Sequence, residues 1–168
     1  MGVGAIGGLV AAKLVDAGYD VLVHAKGEHG AMLAINGLVI RGNWDCHIDS
    51  GDWTVTLEEA GLHPSLKASC DLGIITCKAK DTQRLSEVAH YICTGSVLSL
   101  QNGMGNKELL EQSIGPHRVA VGVTTNAVFR IKSGEINWSG KGDLFIGGKA
   151  AGDFLDVLSC LDAELIEN

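Results

Sequence analysis

Apolar side chains near the start of the chain recur at helical spacing, and a short apolar run follows them. The recurrence predicts a helix over 5–17. Its apolar positions are Ile6, Leu9, Val10 and Leu14. Gly18 lies where a glycine commonly ends a helix. The run within 19–25 is typical of a strand buried on both faces of a parallel sheet, so the opening predicts a helix, a turn and a buried strand.

Helical and strand-like patterns continue to alternate through the middle of the chain. Buried strands are predicted at 71–77 and 96–100, and a helix at 82–92. A further helix follows Asn106, a residue type that can cap a helix start. The less regular stretch before residue 70 predicts a short helix and two strands, at 31–35, 37–41 and 54–57. This alternation indicates an α/β domain.

The pattern changes after Pro116, where short strands separated by tight turns predominate. The four strands are predicted at 119–125, 127–131, 135–139 and 143–146. A last helix is predicted at 153–161. The final third of the chain therefore predicts an antiparallel extension of the α/β body.

Composition agrees with one folded domain and excludes several classes of partner. Of the 168 residues, 46% are hydrophobic and 20% are charged, which is the balance of an ordinary globular domain. A net charge of −7 without a basic block is unfavourable for binding the phosphate backbone of nucleic acid. No apolar run approaches the ~20 residues of a membrane span, and the N-terminus lacks the pattern of a secretory signal. We therefore expect neither a nucleic acid nor a membrane as partner.

The cysteines lie at five scattered positions, which are Cys46, Cys70, Cys77, Cys93 and Cys160. No C-x-x-C pair is present, and no cysteine–histidine cluster has zinc-binding spacing, so no metal site is predicted. Buried free thiols are the expected state of Cys77 and Cys93. Reduced thiols and the missing secretory signal both indicate the cytoplasm.

The chain opens on the pattern Gly-x-Gly-x-x-Gly, formed by Gly2, Gly4 and Gly7 at the start of the first helix. In a dinucleotide site the first glycine permits a tight turn, the second lets the backbone approach a pyrophosphate, and the third lets helix and strand pack closely. The helix start, with Ala5 and Ile6, presents free N–H groups that favour the phosphates. The alternative is a purely structural turn. The pattern predicts a Rossmann-type α/β fold, a doubly wound, mostly parallel sheet with an antiparallel strand extension.

One element of that fold is missing from the sequence. The glycine pattern normally follows a buried central strand, but only Met1 precedes Gly2. Omission of a central strand would expose apolar surface on both neighbouring strands and leave ladder groups unpaired. We therefore expect that the first strand is truncated, and the alternative is that another segment takes its place.

The residue at the end of the strand predicted at 19–25 distinguishes the two nicotinamide cofactors. An acidic residue there accepts hydrogen bonds from the adenosine ribose of NAD, whereas a basic residue neutralises the extra 2′-phosphate of NADP. Lys26 lies at this position and favours NADP. The competing residue is Glu28, which lies past the expected strand end and leaves NAD as the alternative.

Several motifs along the chain, in type and order, resemble the ketopantoate reductase (2-dehydropantoate 2-reductase) family. They lie at 2–8, 76–79, 100–105, 122–125, 134–136 and 146–147. The most specific combination is a lysine after one strand and an Asn-Gly-Met-Gly turn after the next. The resemblance covers essentially the whole chain, which corresponds to the N-terminal half of the family's protein.

The resemblance implies NADPH-dependent reduction of 2-dehydropantoate to pantoate, a step toward coenzyme A. It implies that residues 1–168 form the NADP-binding domain and that the active site also uses a helical C-terminal domain. Carried over residue by residue, the three glycines of the turn hold the pyrophosphate, and Lys26 contacts the 2′-phosphate. Lys78 matches a lysine near the cofactor, and Asn102 matches an asparagine beside the nicotinamide ribose and the substrate.

The positions of Lys78 and Asn102 agree with those roles on independent grounds. Each residue follows a buried strand, at the edge where doubly wound sheets bind ligands. The Asn102 amide can both donate to and accept from a ribose hydroxyl. The alternatives are an exposed surface lysine and a turn asparagine. His24 and His117 have no visible orienting partner and are not predicted to be catalytic.

The chain departs from the family at its C-terminal end. In the family, the lysine that acts as general acid and the groups that bind the substrate lie in the helical domain. Reduction of a ketone needs a proton donor for the developing alkoxide, and we predict no such catalytic residue within 1–168. We therefore expect cofactor binding with little or no turnover by this chain.

Two other functions stay open from the sequence. One is a related reductase of the same architecture that acts on another 2-keto or 3-hydroxy acid. The other is a non-catalytic dinucleotide-binding module. A homo-oligomer is a further expectation, because an exposed apolar sheet flank would favour association.

Overall fold

The computed structural model describes residues 1–102 and 105–166. Backbone contacts divide the chain into two compact units, and each unit is assembled from separate stretches of sequence. Unit 1 contains the described residues of 1–2, 63–124 and 143–166, and unit 2 contains 3–62 and 125–142. Each unit has its own sheet and helices.

Helices and strands alternate along the described residues. In chain order they are α1 (Ala5–Asp16), β1 (Leu22–Ala25), α2 (Gly27–Asn36), β2 (Leu38–Gly42), β3 (Cys46–Ile48), β4 (Thr54–Leu57), β5 (Gly73–Ile75), α3 (Thr82–Ile92), β6 (Val97–Ser99), α4 (Asn106–Ile114), β7 (Val119–Thr124), β8 (Ala127–Lys132), β9 (Glu135–Gly140), β10 (Leu144–Gly147) and β11 (Ala163–Leu165). Short 3-10 helices lie at Glu58–Ala60, Pro64–Leu66, Ala79–Asp81, Ala151–Phe154 and Ser159–Leu161.

Unit 2 has a four-stranded sheet in the order β3-β2-β9-β8 and a separate parallel pair formed by β1 and β4. In the larger sheet β2 and β9 are parallel, while β2–β3 and β8–β9 are antiparallel. Helix α1 approaches this sheet at Gly8, where a β-carbon would lie only 3.2 Å from Leu38 Cδ2 and 3.5 Å from Ile136 Cδ1. The buried core of unit 2 includes Leu9, Ala12, Val23, Leu33, Leu38, Ile40 and Ile136.

Unit 1 has a five-stranded sheet in the order β11-β10-β7-β6-β5. Strands β5, β6 and β7 are parallel, β10 is antiparallel to β7, and β11 is parallel to β10. Helices α3 and α4 pack on each other and on this sheet. Beside β5, the Thr76 N–H donates to the Met1 carbonyl at 3.0 Å. The buried core includes Ile75, Leu85, Ala89, Val97, Leu98, Leu110, Val119, Ile146, Phe154 and Leu158.

The predicted α/β architecture, with mostly parallel strands and an antiparallel extension, is confirmed in the described residues. Helix α3 and strand β4 have the predicted bounds, and α1 ends one residue earlier than predicted. Helix α2 is longer than the predicted 31–35, because it begins directly after the extended Lys26. The expectation of a truncated first strand stays a prediction.

The helix predicted at 153–161 is wrong. The segment contains the 3-10 helices Ala151–Phe154 and Ser159–Leu161 instead. Asp162 then adopts a left-handed conformation with φ 53°, which turns the chain into β11. Because β11 must return at once to pair with β10, the sharp turn overrides the helical spacing of the apolar residues.

Asn106 is not the cap predicted for α4. Gly105, in a left-handed conformation, occupies the N-cap position, and it provides no side-chain cap. Asn106 is the first residue of the helix and is buried. Its side chain accepts a hydrogen bond from Thr82 and donates one to the Asn102 carbonyl. The amide therefore ties two segments of unit 1 together rather than capping its own helix.

Candidate functional site

The first glycine of the opening turn has a conformation and a packing contact that only glycine permits. Gly2 has a φ of 73°, in the left-handed region that side chains disfavour. A β-carbon at this position would also overlap the β-carbon of Cys77. Gly2 therefore has the positive φ expected of the first glycine, and it packs against the segment that follows β5.

Gly4 leaves the start of α1 open. It is the N-cap residue and supplies no side-chain cap, and the hydrogen bond from Gly8 N–H to Gly4 O, at 2.9 Å, closes the first turn. The N–H groups of Ala5, Ile6 and Gly7 precede that bond and have no partner within the helix. A β-carbon on Gly4 would meet no atom within 4 Å. Bare main chain, open space and unused donors at a helix N-terminus fit a diphosphate group.

Lys26 lies at the end of β1, as the sequence predicts, and directly before α2. Its side chain is exposed and its backbone is extended. Parallel pairing of β1 with β4 places Ala25 opposite Leu57. The residues that follow these two strands therefore lie at the same edge of the pair. That edge carries Lys26 from one strand and acidic residues from the other.

Sequence reasoning missed the role of Glu59 at this edge. The Gly27 N–H, at the start of α2, donates to Glu59 Oε1 at 2.7 Å. Hydrogen bonds from its own backbone N–H and from Gly27 lower the pKa of Glu59, and the charges of Lys26 and His24 lower it further. The carboxylate is exposed, so solvent weakens these effects. The only sequence signal was a pair of glutamates directly after a predicted strand.

Neither histidine considered from the sequence has the setting of a catalytic group. His24 is buried in β1, and its Nδ1 lies 2.9 Å from Thr56 Oγ1 on the paired strand. His117 is an exposed residue between α4 and β7. That neither histidine is catalytic stays a prediction.

In unit 1, Lys78 and Asn102 both lie beyond the carboxyl ends of neighbouring parallel strands. Ile75 of β5 pairs with Ser99 of β6, so the segments after these strands leave the same edge of the sheet. Both side chains are exposed. The structure therefore brings the two predicted residues to one sheet edge. Gly103 and Met104 of the predicted turn lie outside the described residues.

A buried hydrogen-bond network holds the segments that carry these two residues. The Gln101 amide nitrogen donates to the Cys77 carbonyl at 3.1 Å and to Thr82 Oγ1 at 2.8 Å. Its carbonyl oxygen accepts from Ser99 Oγ at 3.1 Å. Gln101 directly precedes Asn102, and Cys77 directly precedes Lys78. The network therefore holds the backbone next to both candidate positions, and no local sequence pattern predicts that Gln101 is buried.

The described residues show neither a metal cluster nor a membrane helix. Within 1–102 and 105–166, no three His, Cys, Asp or Glu side chains are close enough to hold a metal ion. None of the helices in this part of the chain combines the length and the apolar character that a membrane crossing needs. The five cysteines are free, and Cys77 and Cys93 are buried as predicted.

A cavity of about 490 Å³ lies elsewhere in unit 2, between the end of α2 and the β8–β9 turn. His47, Asp49, Lys132 and Glu135 contribute its charged and titratable lining. The residues predicted to bind a cofactor do not line it. This cavity is therefore separate from the candidate site.

Comparison with known proteins identifies a matching family, and the relatives found carry names that agree with it. Residues 1–150 match the family described as ketopantoate reductase PanE/ApbA. The 2-dehydropantoate 2-reductase of Pyrococcus horikoshii is 32% identical over 177 residues, which cover 100% of this chain and 55% of the relative. The chain spans about half the length of the curated relatives it matches.

Two solved structures share the fold over nearly the whole chain. The 2-dehydropantoate 2-reductase of Geobacter metallireducens GS-15 has a TM-score of 0.77 and 25% identity, with 99% of this chain and 56% of that chain covered. A D-mandelate dehydrogenase solved with NADH and anilino(oxo)acetate has a TM-score of 0.84 and 20% identity, with 99% and 55% covered. The second likeness bears on the fold alone.

Proposed function

The chain belongs to the ketopantoate reductase PanE/ApbA family, and from that premise we propose that it is the dinucleotide-binding part of a 2-dehydropantoate 2-reductase. The proposed reaction is the NADPH-dependent reduction of the ketone of 2-dehydropantoate to pantoate, on the way to coenzyme A. The names of the curated relatives support this substrate. The observation that carries the cofactor proposal is the open glycine turn at Gly4.

We assign the pyrophosphate of the cofactor to the start of α1. Gly4 leaves room for close approach, and the N–H groups of Ala5, Ile6 and Gly7 provide donors beside the positive end of the helix dipole. Gly2, which has a positive φ, lies two residues before the N-cap of this helix. Backbone donors of this kind bind either nicotinamide dinucleotide, so they do not distinguish NADP from NAD.

We assign the preference for NADP to Lys26. Lys26 directly follows β1 and is exposed, and we propose that its ammonium group neutralises a 2′-phosphate on the adenosine ribose. A charge-assisted contact of this type is roughly twice as strong as a neutral hydrogen bond. The D-mandelate dehydrogenase of similar fold was solved with NADH, which makes NADH the necessary comparison in any binding experiment.

The nicotinamide ring, when bound, supplies the hydride for the ketone. The proposed task of Asn102 is to hold a ribose hydroxyl and the substrate through its amide, which can donate and accept. Lys78 is proposed to lie near the cofactor and to help position it. Gln101 fixes the backbone before Asn102 and so helps to orient it.

We propose that the proton for the alkoxide comes from a helical catalytic domain that residues 1–168 do not include. The length of the curated relatives, about twice that of this chain, supports this assignment. A positioned general acid commonly contributes a factor of about 10² to 10⁴ in rate. This chain alone is therefore expected to bind cofactor and to reduce the substrate very slowly.

Calorimetric titration with NADPH and NADH, followed by an assay of NADPH oxidation with 2-dehydropantoate, tests the proposal. We expect binding of both cofactors, tighter binding of NADPH, and negligible turnover. Absence of heat with both cofactors, from material with a cooperative unfolding transition, would overturn the proposal. Turnover by the chain alone would contradict the proposal that this chain lacks the general acid. If the full-length protein preferred another 2-keto acid, the proposal that 2-dehydropantoate is the substrate would be wrong.

We also propose that the protein is cytoplasmic. We propose in addition that it forms a homo-oligomer. The edge strand β8 supports association, because Phe129 and Ile131 on it are 53% and 49% exposed. Sedimentation of the purified protein over a range of concentrations measures the oligomeric state directly. A monomer at every concentration would contradict association without affecting the cofactor proposal.

A further inference from the structure

The carboxylate of Glu59 is bound to the start of α2, directly after Lys26, the residue that we assign to the 2′-phosphate. The Gly27 N–H donates to Glu59 Oε1 at 2.7 Å, and Gly27 directly follows Lys26. Glu59 comes from a different strand end, two residues after Leu57, the partner of Ala25. The strand register therefore delivers a carboxylate to the place where β1 turns into α2.

The carboxylate of Glu59 uses the same kind of partners that a phosphate uses. A phosphate at a helix start accepts hydrogen bonds from backbone N–H groups and pairs with a nearby ammonium. Glu59 accepts from the Gly27 N–H at 2.7 Å. Its pKa is lowered most by a hydrogen bond from its own backbone N–H, next by the bond from Gly27, and to a smaller degree by the charge of Lys26. An ionised Glu59 is thus an anion of the protein itself that uses the N–H group and the positive charge that the 2′-phosphate of the cofactor would need.

The negative charges of the Glu59 carboxylate and of a 2′-phosphate would repel each other beside Gly27. A 2′-phosphate carries up to two negative charges, and its approach to an ionised carboxylate is unfavourable unless the carboxylate moves away. Glu59 is exposed, so such movement is sterically free and costs the Gly27 hydrogen bond. NADH carries no phosphate at this point and meets no such competitor; its ribose hydroxyls can donate to a carboxylate.

On the basis of the proposed function, we infer that Glu59 is a specificity-determining residue of the cofactor site. Its carboxylate competes with the 2′-phosphate of NADPH for the Gly27 N–H and for Lys26, and so reduces the preference for NADPH over NADH. Lys26 and Glu59 act in opposite directions on the same choice. The selectivity of this site therefore depends on the balance between a cation that follows β1, Lys26, and an anion that follows β4, Glu59.

The test compares Glu59→Gln with Glu28→Gln. Glutamine at 59 keeps an oxygen for the Gly27 N–H and removes the charge. Glu28 lies in the first turn of α2, so the second variant removes an equal charge close by without touching that hydrogen bond. The probes are adenosine 2′,5′-bisphosphate and adenosine 5′-monophosphate, which differ in the 2′-phosphate, together with NADPH and NADH. Dissociation constants are measured by calorimetry, and thermal unfolding confirms that each variant is folded.

We expect Glu59→Gln to tighten binding of adenosine 2′,5′-bisphosphate and of NADPH by about fivefold, and to change adenosine 5′-monophosphate and NADH by less than about twofold. The gain should shrink as salt is raised, because salt screens exposed charges. Glu28→Gln should give a clearly smaller gain. Equal gains from both variants, or no gain from Glu59→Gln, would overturn the inference.

The same measurements separate this inference from the proposed function. If the unmodified protein binds neither NADPH nor NADH, the proposed function fails and the inference fails with it. If it binds both cofactors and Glu59→Gln leaves their ratio unchanged, the proposed function stands and the inference alone is wrong. Because all four probes report binding, the outcome does not depend on catalytic turnover.

Discussion

Gly2 lies so close to Cys77 that a β-carbon on the glycine would overlap the β-carbon of the cysteine. Two residues later, a β-carbon on Gly4 would meet nothing within 4 Å. The two glycines of one motif are thus required for different reasons. Gly2 serves the packing of the chain, whereas the space beside Gly4 is the space that we propose for the pyrophosphate of the cofactor.

Gly4→Ala is expected to keep the fold and to weaken cofactor binding. Gly4 has a φ of −109° and the added methyl group meets no protein atom, so the free energy of unfolding should change by less than about 1 kcal/mol. The same methyl group would occupy the space assigned to the pyrophosphate, and binding of NADPH should fall by about tenfold or more. Urea unfolding and calorimetry measure the two effects.

Gly2→Ala provides the contrasting variant. Positive φ and the overlap with Cys77 should together lower the free energy of unfolding by about 1–3 kcal/mol. If Gly4→Ala proves as destabilising as Gly2→Ala, the distinction between a packing glycine and a ligand glycine is wrong.

Lys26→Ala should weaken NADPH binding and leave NADH binding nearly unchanged. Loss of a well-formed charge-assisted contact to the 2′-phosphate corresponds to about 1.5–3 kcal/mol of binding free energy. Calorimetric titration of both cofactors checks this, with Lys67→Ala as an exposed-lysine control in unit 1. Equal losses for NADPH and NADH would remove Lys26 as the residue that selects the cofactor.

The buried His29 should make the protein less stable in mild acid. The residue is 5% exposed, and its Nδ1 accepts a hydrogen bond from the Gly134 N–H at 3.1 Å. Burial, and to a lesser degree the charge of Arg130, lower the pKa of His29 from 6.5. Between that lowered pKa and 6.5 the unfolded chain binds more protons than the folded one, so the free energy of unfolding decreases as the pH falls.

The contribution of His29 is fully present above pH 6.5 and is lost as the pH falls from there to the folded-state pKa. Urea unfolding at about pH 7.5 and at about pH 5 measures the difference. His29→Gln should flatten this dependence, whereas replacement of the exposed His90 by Gln should not. An unchanged slope in His29→Gln would show that other groups cause the acid sensitivity.

Thiol reagents should distinguish the cysteines by burial. Burial, with a smaller effect of the neighbouring Cys70, raises the pKa of Cys93 to about 12, and burial also raises the pKa of Cys77. Since the thiolate is the reacting form, iodoacetamide at about pH 7.5 should label the half-buried Cys70 and Cys160 first. Peptide mass spectrometry with and without urea reads the order, and labelling of Cys93 as fast as Cys70 in the folded protein would contradict it.

The parts of the fold that follow from local periodicity could be predicted from the sequence. Helix α3 has a regular apolar face and α1 is apolar over most of its length, and their bounds agree with the prediction to within one residue. Strands β3 and β11 were missed, because each has only three residues, too few to show an alternating pattern, and is defined by its pairing with β2 or β10. The predicted last helix failed for the same reason, since β11 dictates the course of the chain before it.

The residues of the candidate site could be predicted from the sequence only where their role follows from their position after a predicted strand. Lys26, Lys78 and Asn102 follow buried strands, and the structure places each at a strand end. Glu59 could not be found in this way, because its contact with Gly27 depends on the register of β1 and β4. Gln101 was missed because nothing local distinguishes a buried glutamine from an exposed one.

Strand β9 reaches the centre of its sheet from far along the chain, where Glu135 lies beside Val39 of β2. A ribosome therefore has to finish residues 63–124 before the partner of β2 exists at all. During that interval the backbone N–H and C=O groups of β2 that later pair with β9 lack their strand partner in the nascent polypeptide. Binding by a chaperone or pairing with a neighbouring chain then competes with the pairing of β2 and β9.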